Sequence, residues 1–268
     1  MEKNIKLMFN PTLPKYVHGK YHNFFLMRFF SNKDLRDYFL SGKLYMRSHT
    51  DFAKQEFGVG RDDITEGADL IVLPRNNETY PDIRFIQKDG EVYVQVVEYT
   101  KKPKDYRENQ AFISYPVSHQ QRNIFCMYTL WCNSKENLLL NIDVNNMKNF
   151  GEYGVIITDL REFLNRVGTA ANKEGSILKM NCGFVNYLEE QDWKNVMSMN
   201  PFIKPAEGFN YQNEFRFCAD TDNTEVLELD THTSFEDIAI PVNLEEFAKS
   251  ASYINGQIQF RREVTEVK

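Results

Sequence analysis

Residues 208–217 read GFNYQNEFRF, and how this stretch is taken decides the fold. In an extended chain, residues two apart share a face. Phe209, Tyr211, Phe215 and Phe217 then fall on one side, and Asn210, Gln212, Glu214 and Arg216 on the other. The stretch is expected to be a strand with an apolar and a polar face. Two readings of the polar face stay open. It faces water, with Glu214 and Arg216 as a surface ion pair worth at most about 1 kcal/mol, or it floors a site. In a site, a carboxylate accepts from a ribose hydroxyl and stabilises the oxocarbenium-like charge of a breaking glycosidic bond, while the amide of Gln212 positions an acceptor. That chemistry needs neither a metal nor a cysteine.

Around this segment the chain alternates short strands with short helices. Upstream, "NCGFVNYL" (181–188) reads as a strand and "EEQDWKNVMSMN" (189–200) as a helix ending before Pro201. Downstream, "TEVLELD" (224–230) reads as a strand and "NLEEFAKSASYI" (243–254) as a helix. In the middle, "NIFCMYTLWC" (123–132) is a buried strand, and "YGVIIT" (153–158) leads into the helix "LREFLNRV" (160–167) with Asp159 as its cap. "DIRFIQKDGEVYVQVVEY" (82–99) alternates around Lys88-Asp89-Gly90, the signature of a hairpin through an Asp-Gly turn. It either joins the main sheet or projects as a ribbon.

At the N-terminal side, residues 1–22 are polar and punctuated by proline, and they read as an arm. "NFFLMRFF" (23–30) is a bulky apolar strand carrying one arginine, Arg28. "SNKDLRDYFLSG" (31–42) offers Ser31 or Asn32 as a helix cap, Leu35, Tyr38 and Phe39 at helical spacing, and Gly42 as the stop. "KLYMRSHTDF" (43–52) is extended again, with His49 the one histidine worth watching beside it. The class is α+β, a mixed and largely antiparallel β-sheet core with short peripheral helices. One domain spans 1–268, with an inserted β-hairpin at about 69–100.

Composition narrows the partners. The chain has 268 residues, 42% of them hydrophobic, and 21 Phe with 14 Tyr suit packed sheet surfaces. A net charge of -6 repels a nucleic-acid backbone except at a local basic patch. Four scattered cysteines suggest neither a disulfide framework nor a zinc site, so a reducing cytoplasm is expected. No apolar run reaches the roughly 20 residues of a membrane span, which predicts a soluble protein without a membrane partner. The common dinucleotide-fold, P-loop, hydrolase and metalloprotease motifs do not occur.

The Q-x-E of Gln212 and Glu214 in a late strand, Arg28 on an early strand followed by a short helix, Gly42 and a second strand, and Tyr128 with Thr129 in "FCMYTLW" together resemble the ADP-ribosyltransferase-like family. The resemblance implies an ADP-ribosyltransferase-like fold and an NAD-dependent transferase, with NAD as substrate. It gives Glu214 and Gln212 the catalytic roles, Arg28 an NAD phosphate, and Tyr128 and Thr129 the nicotinamide pocket. It also implies transfer to an intracellular macromolecule, protein or nucleic acid. The cellular setting would be a toxin or phage-defence effector held by an antitoxin or inhibitor protein.

Two other readings rest on the residues alone. Asp62, Asp63 and Glu66 in "GRDDITEG" (60–67) have a spacing that suits a divalent metal in a nuclease, although a solvated turn, or a loop whose Asp caps a neighbouring helix, is the plainer expectation, and a third reading has the loop salt-bridge to Arg47 or Arg28 and shape a pocket rim. The tyrosines and basic residues of 15–25 and 99–109 suit stacking on bases in a non-enzymatic nucleic-acid-binding or interaction protein, although surface loops anchored by tyrosine have the same look.

Overall fold

The computed structural model describes residues 7–10, 21, 23–48, 70–72, 79–88, 91–101, 113–115, 121–189, 196–198, 201–206, 208–221 and 226–260. Its backbone is organised by β8 (Gln121–Asn133), the longest strand described. Along one edge β8 pairs antiparallel with β15 (Glu214–Thr221), from Thr221 opposite Gln121 to Glu214 opposite Tyr128. Its other edge is shared. The C-terminal half pairs with β2 (Asn23–Phe30), and Asn123 and Ile124 pair with β3 (Lys43–Ser48).

The sheet therefore forks at residues 125–127 of β8. One branch continues from β2 to β10 (Tyr153–Ile157) and β17 (Ala239–Asn243), and the other from β3 to β16 (Val226–Asp230). Beyond β15 lie β11 (Ile177–Phe184) and then β1 (Met8–Asn10), which is parallel to β11, while β9 (Leu138–Leu139) extends the end of β8. The described part is α+β, built on a mixed, mostly antiparallel ten-stranded sheet with a few short helices.

Each face of this sheet buries a separate apolar set. Leu26 and Phe30 of β2 pack on one face with Phe125 and Met127 of β8 and Phe215 and Phe217 of β15. Met27, Phe29 and Tyr128 occupy the other. The first face is covered by α1 (Lys33–Leu40) and α3 (Leu160–Lys173). In α3 the buried residues Phe163, Val167, Ala170 and Ala171 recur with the helical period, giving the stripe that rests on the sheet. Phe39 of α1 stacks on Phe125 with ring centres 5.7 Å apart. The second face is covered by Met147 of α2 (Val144–Met147) and by Leu244 and Phe247 of α4 (Leu244–Ser250).

The helix ends follow their capping residues. The side chain of Asn32 accepts from the Leu35 N–H at 2.9 Å, and that of Asp159 accepts from the Glu162 N–H at 2.9 Å. Gly42 ends the first helix at φ +96, and a Cβ there would collide with the carbonyl oxygen of Thr233. No other residue type satisfies both conditions.

Four expectations change. Residues 210–212 form a 3-10 turn, and the strand begins only at Glu214, because Asn213 adopts a left-handed backbone at φ 43. Residues 181–188 are split between β11 and β12 (Asn186–Leu188), and β12 pairs with β14 (Ile203–Pro205). Within the expected helix of 189–200, Val196–Ser198 is a strand, β13, paired with β4 (Leu70–Val72), which also pairs with β7 (Ile113–Tyr115). The expected helix of 243–254 stops at Ser250 and gives way to β18 (Ala251–Ile254), paired with β19 (Gln257–Phe260). The β-branched and aromatic tail of that segment prefers an extended pairing. The hairpin strands β5 (Thr79–Lys88) and β6 (Glu91–Lys101) pair antiparallel with each other as a two-stranded sheet of their own.

Candidate functional site

The left-handed turn at Asn213 locates the site. Its carbonyl accepts from the Thr129 N–H at 2.7 Å, and its side-chain amide donates to the Tyr128 hydroxyl at 3.3 Å, so the approach to β15 is fixed against β8. Asn tolerates this backbone because its short polar side chain bonds locally. Glu214 follows as the first residue of β15. Its N–H donates to the Tyr187 hydroxyl at 3.1 Å, and its carbonyl accepts from the Val185 N–H at 2.9 Å.

The Glu214 carboxylate meets two cations. Lys204 Nζ donates to Oε1 at 2.8 Å, and Arg216 Nε donates to Oε2 at 2.6 Å. Lys204 Nζ also donates to Gln212 Oε1 at 3.2 Å and lies 4.7 Å from the centre of the Phe209 ring. Arg216 Nη1 donates to the carbonyl of Pro201 at 2.6 Å. Lys204, Gln212, Glu214 and Arg216 are all buried, at 7% exposure or less. The pair of Glu214 and Arg216 is therefore not a surface pair, and the polar side of this segment does not face water. Gln212 and Glu214 do converge, but through Lys204 rather than through a shared strand face.

Burial works to raise the pKa of Glu214. The charges and hydrogen bonds of Arg216 and Lys204 outweigh it and hold the carboxyl down to about 2. The group is an anion at any neutral pH. An anion held between two cations suits electrostatic stabilisation rather than proton donation.

The other candidates divide between the two faces of the sheet. Residues directly opposite in register share a face, and Glu214, Tyr128 and Met27 form one such row across β15, β8 and β2. Arg28 follows Met27 and so points to the opposite face, as does Thr129, which stands opposite Leu26. On the motif strand, the residue aligned with Glu214 is thus Met27. Arg28 lies in the fork, where its Nη1 donates to the carbonyl of Cys126 and its guanidinium carbon sits 4.7 Å over the Phe125 ring. The Thr129 hydroxyl is buried and, among the described residues, has no hydrogen-bond partner. Tyr128 is buried at 3% exposure, and burial pushes its pKa up to about 12, with the Asn213 hydrogen bond opposing.

Lys204, Tyr187 and Asn213 belong to this cluster and were not singled out by sequence. Lys204 sits in "FIKP" with no periodic signal, and its position is set by β14 pairing with β12. The role of Arg216 was readable, since period two places it beside Glu214 on one face of the strand. Asp62, Asp63, Glu66, His49 and the Asp-Gly turn of the hairpin lie outside the described residues. Among the described residues, no three His, Cys, Asp or Glu side chains gather to hold a metal, and no helix is long and apolar enough to cross a membrane. No protein-family model, curated protein or solved structure matches the chain.

Proposed function

We propose that the chain is an ADP-ribosyltransferase-like enzyme that moves the ADP-ribose of NAD to a macromolecular acceptor, with Glu214 as the reacting carboxylate and Gln212 beside it. One observation carries the reading. The three strands bearing the motif, β2, β8 and β15, are far apart in sequence yet are consecutive neighbours in the sheet, and Glu214 opens the last of them directly opposite Tyr128. In the proposed reaction the bond from ribose C1′ to nicotinamide breaks, and its electron pair leaves with nicotinamide. The anionic Glu214 stabilises the cationic sugar and accepts from its hydroxyl. The acceptor nucleophile then bonds to C1′ and releases its proton.

Lys204 must leave Oε1 for the ribose to reach it, and because it also holds Gln212 the amide is freed in the same movement. Tyr128 lies on the reacting side. Arg28 and Thr129 have no part in this version, since they face away from Glu214. The cellular setting proposed with it is a cytoplasmic toxin or phage-defence effector with a cognate inhibitor.

A second reading has its own observation. A carboxylate satisfied by two buried cations is also how a structural pin is built, and it fits a non-enzymatic interaction protein. The experiment that separates them incubates the folded protein with NAD and cell extract and follows nicotinamide. Release that disappears in a folded Glu214→Gln variant supports transfer. No release with any extract, or release that survives the substitution, sinks it.

A further inference from the structure

Residues 201–206 lie across the face that Glu214 belongs to. In register, Glu214, Arg216 and Cys218 of β15 share this face with Tyr128, Cys126 and Ile124 of β8. The short segment closes it at three points. The Pro201 carbonyl accepts from Arg216 Nη1 at 2.6 Å. Phe202 packs in one apolar cluster with Ile124 and Cys218, and Cys126 rests against that cluster. Lys204 Nζ donates to Glu214 at 2.8 Å and to Gln212 at 3.2 Å. Beneath the segment Arg216, Cys218 and Glu214 are all buried.

The cover is tied down less firmly than the floor. Among the described residues, its strand β14 pairs only with β12, in parallel, from Ile203 to Pro205 and outside the main sheet. Parallel pairs are slightly less stable per residue than antiparallel ones. The floor strand β15 has an antiparallel neighbour along each edge, β8 from Glu214 to Thr221 and β11 from Phe215 to Thr221. β12 belongs with the floor, because its Tyr187 hydroxyl accepts from the Glu214 N–H at 3.1 Å. Pro201 and Phe202 also border a cavity of about 330 Å³ whose lining includes Cys218 and Asp220. This end of the cover therefore has space beside it, and atoms that line a void forgo the contacts that would hold them.

We propose that residues 201–206 are a strap that gates the Glu214 site, shut with Lys204 on the carboxylate in the resting chain and lifted from β15 when a ligand enters. Lifting breaks the bonds of Lys204 to Glu214 and Gln212, the bond of Arg216 to Pro201 and the ladder between β14 and β12 as one event. Arg216 stays on Oε2, Oε1 is opened, and Phe202 is carried off Cys218 and Cys126. The loss of the ion pair is offset by water, since the ammonium and the carboxylate regain the hydration that burial took from them. A ligand that binds only the lifted state then shifts the equilibrium toward it. That this ligand is NAD rests on the proposed function, whereas the strap does not.

Thiol chemistry reads the strap without NAD. The full chain is treated with iodoacetamide under native conditions, and modification of each cysteine is followed by mass spectrometry of its peptide. Cys218 lies under the strap, while Cys182, buried on the opposite face of the sheet, and Cys132, buried on β8, report wider unfolding. Cys218 should react faster than either by roughly tenfold or more, because local opening is more frequent than global unfolding. Lys204→Met removes both bonds of the strap to the site and should speed Cys218 by a further tenfold, roughly, with Cys182 unchanged. Cys218 reacting no faster than Cys182 and Cys132, or unmoved in a folded Lys204→Met variant, overturns the proposal. Should that variant unfold, the comparison within the native chain decides alone. A strap that opens in a chain releasing no nicotinamide keeps the gate and removes NAD as its ligand. Nicotinamide release with Cys218 as slow as Cys182 keeps the transferase and removes the gate.

Discussion

Arg28 and Glu214 stand on strands separated only by β8, yet their side chains leave opposite faces of the sheet. The separation is one residue of register. Met27 occupies the place that would bring a β2 side chain to Glu214, and a shift of one position moves a strand's entire pattern to the other face. Arg28 therefore serves the fork, and Glu214 serves the cluster around Lys204.

Replacing Glu214 by Gln keeps the shape and removes the charge shared by two buried cations. A loss of about 3–5 kcal/mol in unfolding free energy is expected. Urea denaturation of the two proteins measures it, and a loss within error of zero would mean that the cluster is open to water.

Acid should act through the same group. The folded pKa of Glu214 is held down to about 2 from an ordinary 4.5, so its contribution is fully present above about pH 5 and is lost as the pH falls toward 2. The amount lost across that window is on the order of 3 kcal/mol. Urea midpoints taken through the window should fall more steeply in the native chain than in Glu214→Gln.

Arg28→Leu removes the donor that satisfies the Cys126 carbonyl where β2 and β3 part, and it is expected to cost about 1–3 kcal/mol. Arg28→Lys should recover only part of this, because an ammonium cannot stack its plane on Phe125 while donating sideways. Under the proposed function, neither variant should abolish nicotinamide release once folded. Full loss in Arg28→Lys would restore this residue to the site.

Gly42→Ala places a Cβ against the Thr233 carbonyl at a backbone angle that L residues rarely adopt. A destabilisation of about 1–3 kcal/mol is expected, read as a fall of several degrees in Tm. An unchanged Tm would show that the turn from α1 to β3 relaxes freely.

What was readable from sequence was local. Asn32, Asp159 and Gly42 announce their helix ends, and the run around Arg28 is the strand it looked to be. What was not readable depended on partners distant in the chain. The alternation in GFNYQNEFRF is real for Phe215 and Phe217, but a left-handed Asn213 resets it before Glu214, and nothing in the alternation marks that break. Period two also says which residues share a face, not what covers that face. Lys204 closes over Glu214 because β14 pairs with β12, a pairing between three-residue strands too short to carry a pattern. The facing of Arg28 depends on how β2 aligns with β8, which no single strand records.

The fork in β8 also bears on the order of assembly. β15 is made long after β8, and it takes its place in the interior of the sheet, between β11 and β8, rather than at a margin. At a synthesis rate of roughly 5–20 residues per second, the stretch of β8 from Gln121 to Tyr128 waits several seconds for β15 on one edge, where only β9 has joined at Cys132 and Asn133, while the other edge already has β2 and β3 to hold. The nascent chain is therefore an open template for that interval, and the arrival of Glu214 closes the gap in the sheet as it brings the carboxylate to Lys204.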